Sequence, residues 1–319
     1  MLRAVAAIGL CSWDRFVVVD QYPSLGEYAT VQRQFEQAGG TTANTCVALT
    51  KLGVDVTLAS TVGADREGEL LVQSLKDAGC DTSLIELRED CPTDSSYIVI
   101  PGGGEAPDRT ILWVKGAQPR HGDKLPIERL LEHRWLLVDV NDDRLRAFLL
   151  ELPAHISPRT QLIGAMTYLT DTDRSVGWQH LLGHDVVFGN ERELLHLIAA
   201  NDLAAAIATA RAAMPGTACR VIYLSLGARG AMAIRPESIT TVPAFAMDVV
   251  DTTGAGDAFA AGCIWGITDS LDDREVLARG NAVGALVCRK MGARASLPTR
   301  DEALHMVQHG TILSYVSIS

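Results

Sequence analysis

The chain has 319 residues, 47% of them hydrophobic, and carries a formal charge of −11. That length supports one large domain or two small ones around a substantial core, and the acidic balance argues against a nucleic-acid partner, because phosphate backbones are bound by dense Lys/Arg surfaces. The apolar start at residues 4–11 is short and is followed at once by Asp14 and Arg15, and no uninterrupted apolar run approaches the ~18 residues of a membrane span; the expectation is a cytoplasmic protein with no membrane partner.

The first predicted element is a strand at 5–10. Residues 15–37 then show strand-like alternation with no helix, followed by a helix at 42–52, a strand at 56–61 and a helix at 66–78, with Gly53 and Gly79 placed as C-terminal caps. A second strand-like excursion spans 97–114 and contains the turn Pro101-Gly102-Gly103-Gly104. Strands at 135–140, 185–188 and 221–226 alternate with helices at 144–152 and 191–200. From Gly256 onward the chain reads as helical, at 258–267, 274–291 and 300–309. Strands that are apolar without alternation, separated by helices, predict a doubly wound, mostly parallel α/β sheet with helices on both faces. No repeat or linker divides the chain, so 1–319 is expected to form a single domain, with 15–37 and 97–114 building a small accessory sheet over the crevice at the strands' carboxyl ends. The seven cysteines are scattered singly and read as reduced core thiols. His180/His184 and His305/His309 have i, i+4 spacing but lack the acidic or cysteine partners of a zinc site.

The most informative stretch is Asp251-Thr252-Thr253-Gly254-Ala255-Gly256-Asp257-Ala258-Phe259. Gly254, Ala255 and Gly256 let backbone N–H groups approach a phosphate at the start of a buried helix, where the helix dipole favours anions. Asp257, in the first turn, stands where a carboxylate could take a proton from an attacking hydroxyl while those amides hold the transferring group. The pattern points to phosphoryl transfer.

This string resembles the D-T-x-G-A-G-D-x-F signature of the ribokinase family, also called the PfkB-type carbohydrate kinases, and the order of elements resembles that family's fold and lid. Further segments carry the resemblance. Gly39-Gly40-Thr41-Thr42-Ala43-Asn44 is similar to the family's G-G-x-x-x-N, implying substrate contacts from Gly39, Gly40 and Asn44, with Thr41 and Thr42 in place of ribokinase's own Lys-Gly, a departure that turns the expectation away from ribose. Asp14, five positions after Gly9, falls where the family holds a substrate-binding Asp. Asn190-Glu191-Arg192-Glu193 resembles the N-x-x-E motif, which implies that Asn190 and Glu193 position a Mg²⁺–phosphate assembly, Glu193 indirectly through water. Ser225-Leu226-Gly227-Ala228-Arg229-Gly230 is similar to the segment along the nucleotide, implicating Ser225, Gly227 and Gly230, and it also reads as a hairpin turn. Arg109, in the turn Pro107-Asp108-Arg109-Thr110, is implied to face substrate or phosphates, and Asn281 to lie on the adenine side. Asp251, Thr253, Gly292 and Ser296 fall where relatives hold a monovalent cation, K⁺.

The expected activity is ATP- and Mg²⁺-dependent phosphorylation of a hydroxyl on a small sugar, a ketohexose or related carbohydrate, with Asp257 as general base. Two rivals remain open: a nucleoside kinase of the same family, whose base pocket would draw on Trp13, Phe16, Phe35 or Trp113, and a catalytically silent sugar or nucleotide sensor. A dinucleotide oxidoreductase is excluded by the absence of G-x-G-x-x-G after the first strand. Exposed strands in the accessory sheet predict a homodimer formed through it.

Overall fold

The computed structural model describes residues 3–102, 109–155 and 160–313. In chain order the elements are β1 (Arg3–Gly9), β2 (Ser12–Val19), β3 (Val31–Gly39), α1 (Thr41–Lys51), β4 (Val56–Gly63), α2 (Arg66–Asp77), β5 (Asp81–Arg88), β6 (Ser95–Pro101), β7 (Thr110–Val114), α3 (Ile127–Leu130), β8 (His133–Asp139) and α4 (Asp143–His155). They continue with β9 (Gln161–Ala165), α5 (Arg174–Leu182), β10 (Val186–Asn190), α6 (Glu191–Ile198), α7 (Leu203–Ala213), β11 (Val221–Ser225), β12 (Ala231–Ile234), β13 (Ile239–Val242), α8 (Ala255–Thr268), α9 (Asp273–Val287) and α10 (Arg300–His309).

Among the described residues the main sheet has nine strands in the order β13-β12-β11-β10-β9-β8-β1-β4-β5, parallel from β5 to β11 and antiparallel at β12 and β13. Successive side chains of a strand point to opposite faces, and β1 makes both faces apolar. Val5 and Ala7 join the cluster containing α1, α8 and α9, while Ala6 and Ile8 join the one containing Leu145 and Leu149 of α4. The continuous apolar runs in the sequence thus follow from burial on both sides. Helix α8 is buried on nearly all its faces, packed against α1, α9 and the sheet at β10, which explains its unbroken apolar composition.

The predicted order of elements is present, with bounds shifted by a few residues and several elements added. β5 was not expected because it is an edge strand whose sequence, DTSLIELR, is half-exposed and largely polar. β9 is only five residues long. The last long helix stops at Val287 rather than Met291, since Cys288 caps it and Gly292 follows with φ +99°. Gly53 and Gly79, both at positive φ, follow the last residues of α1 and α2 as expected of C-terminal caps.

The two excursions pair as a separate four-stranded sheet, β3-β2-β6-β7. Its first strand begins at Ser12, so Asp14 lies within β2. Phe16 stacks on Phe35 with ring centroids 4.7 Å apart, packed beside Ile98, Ile100 and Met291. Of the expected turn, Gly103 and Gly104 lie outside the described residues, as do Pro107 and Asp108.

Candidate active site

In an open α/β sheet a ligand crevice forms at the carboxyl ends of the strands where the winding direction reverses. Here the reversal lies at β1, which is flanked by β4 on one side and β8 on the other, and the register pairs Gly9 with Asp139 at their ends. Helix α1 starts directly above this point. Thr41 and Thr42 donate from Oγ1 to Asp139 Oδ2 at 2.7 and 2.8 Å, while Thr42 Oγ1 accepts the Leu10 N–H at 3.0 Å. A Cβ at Gly9 would stand 2.0 Å from Thr42 Oγ1, so this knot requires glycine there. The other oxygen of Asp139, Oδ1, is buried with no partner among the described residues, and burial raises the pKa of this carboxyl.

The N-terminus of α8 faces the same crevice. Gly254 takes the left-handed conformation, φ +77°, and provides no side-chain cap. Ala255 N–H donates to Thr252 O at 3.1 Å, whereas the amides of Gly256 and Asp257 have no acceptor among the described residues. The Gly254 amide likewise has no acceptor among the described residues, so of the expected Gly254–Gly256 set only the Ala255 amide is used by the turn that launches the helix. Such helix-start donors attract anions. A Cβ at Gly254 would lie 2.6 Å from Ala293 Cβ, but one at Gly256 meets no heavy atom within 4 Å, so the space in front of Gly256 is open.

Asp257, in the first turn, accepts a 2.9 Å hydrogen bond at Oδ2 from Asn44 Nδ2. Asn44 Oδ1 in turn accepts from Arg294 Nε at 2.7 Å, and Arg294 Nη2 donates to Gly39 O at 2.9 Å. Asp14 is buried, with Oδ1 accepting from Ser96 Oγ at 2.7 Å, and an ideal Cβ on Gly39 would fall 1.9 Å from its Oδ2. Gly40 has φ +92° and its Cβ would meet Leu10 O at 2.6 Å. The paired glycines are thus needed to seat the loop against Leu10 and Asp14.

Four carboxyls converge here. Burial pushes Asp257 up to about 7, and Asp139 and Asp14 push in the same direction against the Asn44 hydrogen bond and Arg109. Burial likewise raises Asp14 to about 6, opposed by Ser96 and Arg294, and Glu193 to about 7, with Asp139 adding to the shift. Asp139, Glu193 and Asp257 line one cavity together with Thr41, Ser225 and Gly256. Carboxyls tuned towards neutrality in a crevice mark a functional site.

On the other side of that cavity, Asn190 and Glu193 form a capping box: Asn190 Oδ1 accepts from Glu193 N at 3.0 Å and Glu193 Oε2 accepts from Asn190 N at 2.9 Å. The N-x-x-E spacing therefore has a local structural role as well as a place in the cavity. Ser225 ends β11, and the 3₁₀ turn Gly227–Arg229 leads into β12 as the expected hairpin; a Cβ on Gly230, at φ +99°, would lie 2.0 Å from Val242 O. Asn281 is buried in α9, and both its donated bonds go to backbone, Val242 O at 3.3 Å and Pro243 O at 3.0 Å, so its amide nitrogen ties α9 to the end of β13. Arg109 donates to Thr252 Oγ1 at 3.0 Å, joining the small sheet to the loop before α8.

Asp251 collects the Thr253 N–H and hydroxyl on Oδ1, at 2.9 and 2.7 Å, and the Gly292 N–H on Oδ2 at 2.7 Å, while Ser296 Oγ donates to Val287 O at 2.6 Å. These contacts draw the 292–296 loop against 251–253. Of the aromatic residues considered for a base pocket, Phe16 and Phe35 are committed to each other, and Trp13 and Trp113 donate to Glu36 at 3.1 Å and Asp94 at 2.9 Å. Two site residues escaped the sequence reading. Asp139 carried a usable signal, an acid closing an apolar strand, but Arg294 lies in an irregular loop 250 residues from Asn44 and carried none.

A profile described as "pfkB family carbohydrate kinase" matches residues 2–300. The chain belongs to that family. Its members are phosphotransferases that act on sugar hydroxyls, and this protein is a kinase of that kind. Over 309 residues it is 32% identical to an ATP-dependent ribose-1-phosphate kinase of Halopiger xanaduensis, covering 94% of this chain and 96% of that protein. It is 25% identical to the ribokinase of Haemophilus influenzae, with 97% of this chain and 100% of the relative covered. The structure of Arabidopsis thaliana ribokinase complexed with ribose and ATP superposes with a TM-score of 0.80 at 21% identity, covering 97% and 99% of the two chains. The fold is ribokinase-like, as expected.

Proposed function

We propose that this carbohydrate kinase transfers the γ-phosphate of ATP to a primary hydroxyl of a small sugar, with Asp257 as general base. The observation that carries the proposal is the joint placement of the Asp257 carboxylate and two acceptor-free amides at the start of α8, beside open space. Asp257, with its pKa raised to about 7, is a competent proton acceptor at neutral pH, close to the operating range that general-base catalysis favours. It takes the hydroxyl proton as the sugar oxygen forms its bond to the γ-phosphorus and the bond to the ADP oxygen breaks. The Gly256 and Asp257 amides then face the charge on the transferred group, and one such donor is worth about 10²–10³ in rate.

Asp14, Gly39, Gly40 and Asn44 form the acceptor side, and Ser225, Gly227 and Gly230 the nucleotide side. Asn190 and Glu193 line the cavity, and Glu193 would hold Mg²⁺ indirectly through water, as suits an ion that keeps several of its waters. When bound, that ion neutralises charge on the ATP phosphates. The oxygens around Asp251, Thr253, Gly292 and Ser296 suit K⁺, which would brace the loop that begins α8. The small sheet serves as a lid, and Arg109 is its contact with the anion loop, so that closure excludes water as a competing acceptor. Tyr97 and Leu112, paired across β6 and β7 and both exposed, supply an apolar patch suited to pairing two lids in a homodimer. A monomer at micromolar concentration in sedimentation would remove that part of the proposal.

The relatives' substrates, ribose 1-phosphate and ribose, join ketohexoses and 2-keto-3-deoxygluconate on the acceptor panel. Purine nucleosides are the competing class. The test is ADP release with Mg-ATP and K⁺ across this panel, for the wild type and Asp257→Asn. Turnover on a sugar that falls by ~10²–10⁴ in the variant supports the reading. An unchanged rate in the variant overturns the base assignment, and nucleoside turnover alone overturns the acceptor class.

A further inference from the structure

Arg294 is an arginine at the acceptor side of the site that forms no ion pair among the described residues. Its guanidinium gives Nε to Asn44 Oδ1 at 2.7 Å and Nη2 to Gly39 O at 2.9 Å, while Nη1 is buried with no partner among the described residues. The groups that feel its charge are Cys11, Asp14, Cys80 and Cys46, and burial lowers its pKa. A guanidinium nitrogen buried without a partner, on a side chain with no carboxylate contact, is costly to the fold.

Asn44 can present either its oxygen or its NH₂ group to Asp257, and only the NH₂ group stabilises a carboxylate. Arginine has donors and no acceptors, so at Nε it accepts only the oxygen of Asn44. That choice turns Nδ2 towards Asp257 Oδ2, 2.9 Å away, and occupies Oδ2 so that Oδ1 remains for the acceptor hydroxyl. Through Gly39 O the same guanidinium also seats the strand end that packs on Asp14 Oδ2.

We infer that Arg294 is a positioning residue, which through the Asn44 amide orients and holds ionised the carboxylate of Asp257. The inference rests on the reading of Asp257 as the base. The groups facing Asp257 are Asn44 from α1, Asp139 from the end of β8, Asp14 from β2, Arg109 preceding β7 and Tyr168, with Glu193 across the cavity. Loss of the oriented amide removes a hydrogen bond to the charged form, while the acidic neighbours continue to oppose ionisation.

The test is the pH profile of kcat/KM for wild type, Arg294→Met, Arg294→Lys and the pair Arg294→Met/Asn44→Leu, on the sugar phosphorylated best. The acid limb is expected to move up by about one to two pH units in Arg294→Met, the size expected for a lost hydrogen bond to a charged group. It should move less in Arg294→Lys, whose ammonium retains one donor, and the pair should coincide with Asn44→Leu alone, as for residues acting in one chain. An acid limb unmoved in Arg294→Met, with a uniform loss across pH, makes Arg294 merely structural and overturns the inference. So does a loss confined to KM for a phosphorylated acceptor, which would make the guanidinium a reader of that group. If Arg294→Met does not fold, Arg294→Lys decides, and a limb at the wild-type position overturns the inference. Failure of the underlying reading is distinguishable, because Asp257→Asn would then keep both turnover and the acid limb.

Discussion

Gly254 and Gly256 are two residues apart in one loop, yet the structure assigns their substitutions opposite outcomes. At Gly256 an added Cβ meets no protein atom within 4 Å and the backbone is not at positive φ, so Gly256→Ala should fold normally. Replacing glycine by alanine in such a conformation stabilises by about 0.4–1 kcal/mol through the unfolded chain. The new methyl group would, however, occupy open space at a residue that lines the cavity with Asp257. If that space receives the transferring phosphoryl group, the anion is pushed off the donors, and the loss should match removal of one such donor, about 10²–10³ in kcat. At Gly254 the Cβ would sit 2.6 Å from Ala293 Cβ with φ at +77°, so Gly254→Ala should lower stability by ~1–3 kcal/mol from strain and overpacking. The assay pairs thermal unfolding with initial rates at saturating Mg-ATP. Gly256→Ala with an unchanged melting temperature and wild-type kcat would refute the anion cradle, because a methyl group cannot share that space with a phosphate.

Asp257→Asn should cost activity yet raise stability at pH 8: a carboxyl raised from 3.8 to about 7 contributes stability that is present below about pH 4 and is lost as pH rises through 7, and the amide avoids that loss. A melting temperature lower than wild type at pH 8 would contradict the buried-carboxylate reading. The wild type's own kcat/KM should fall below about pH 7 as Asp257 takes up a proton, and a flat profile between pH 5.5 and 8 would refute this assignment. Glu193→Gln should preserve α6, because an amide oxygen still accepts the Asn190 N–H, while Glu193→Ala should cost ~1 kcal/mol of cap; equal losses of activity in both would separate the carboxylate's work in the cavity from its capping. Thr42→Val should destabilise by about 1–3 kcal/mol, since it strands the buried Leu10 N–H and removes one donor to Asp139, and a change under 0.5 kcal/mol in denaturant unfolding would count against the knot at β1 and β8.

Much of the fold was legible because its signals are local. Apolar runs such as those of β1, β8 and β11 are continuous because both sheet faces are covered, and glycines at 53 and 79 end helices through their own backbone conformation. The start of α8 was legible for the same reason: small residues before an apolar run mark a helix start whose first amides lack intrahelical partners. The edge strand β5 was hidden because its half-exposed sequence resembles a polar loop.

Local sequence pattern specifies a doubly wound α/β chain whose late apolar helix begins with small residues and carries an aspartate in its first turn. Only the tertiary structure decided how those groups are set. It assigned the Ala255 amide to Thr252 and left those of Gly254, Gly256 and Asp257 without acceptors; it turned the Asn281 amide towards backbone; and it brought Asp139 and Arg294 to the same site. Hydrogen bonds between residues 98 to 250 positions apart depend on where the chain crosses itself, and that geometry, with the desolvation that raises Asp257 to about 7, exists only once the sheet and helices have packed.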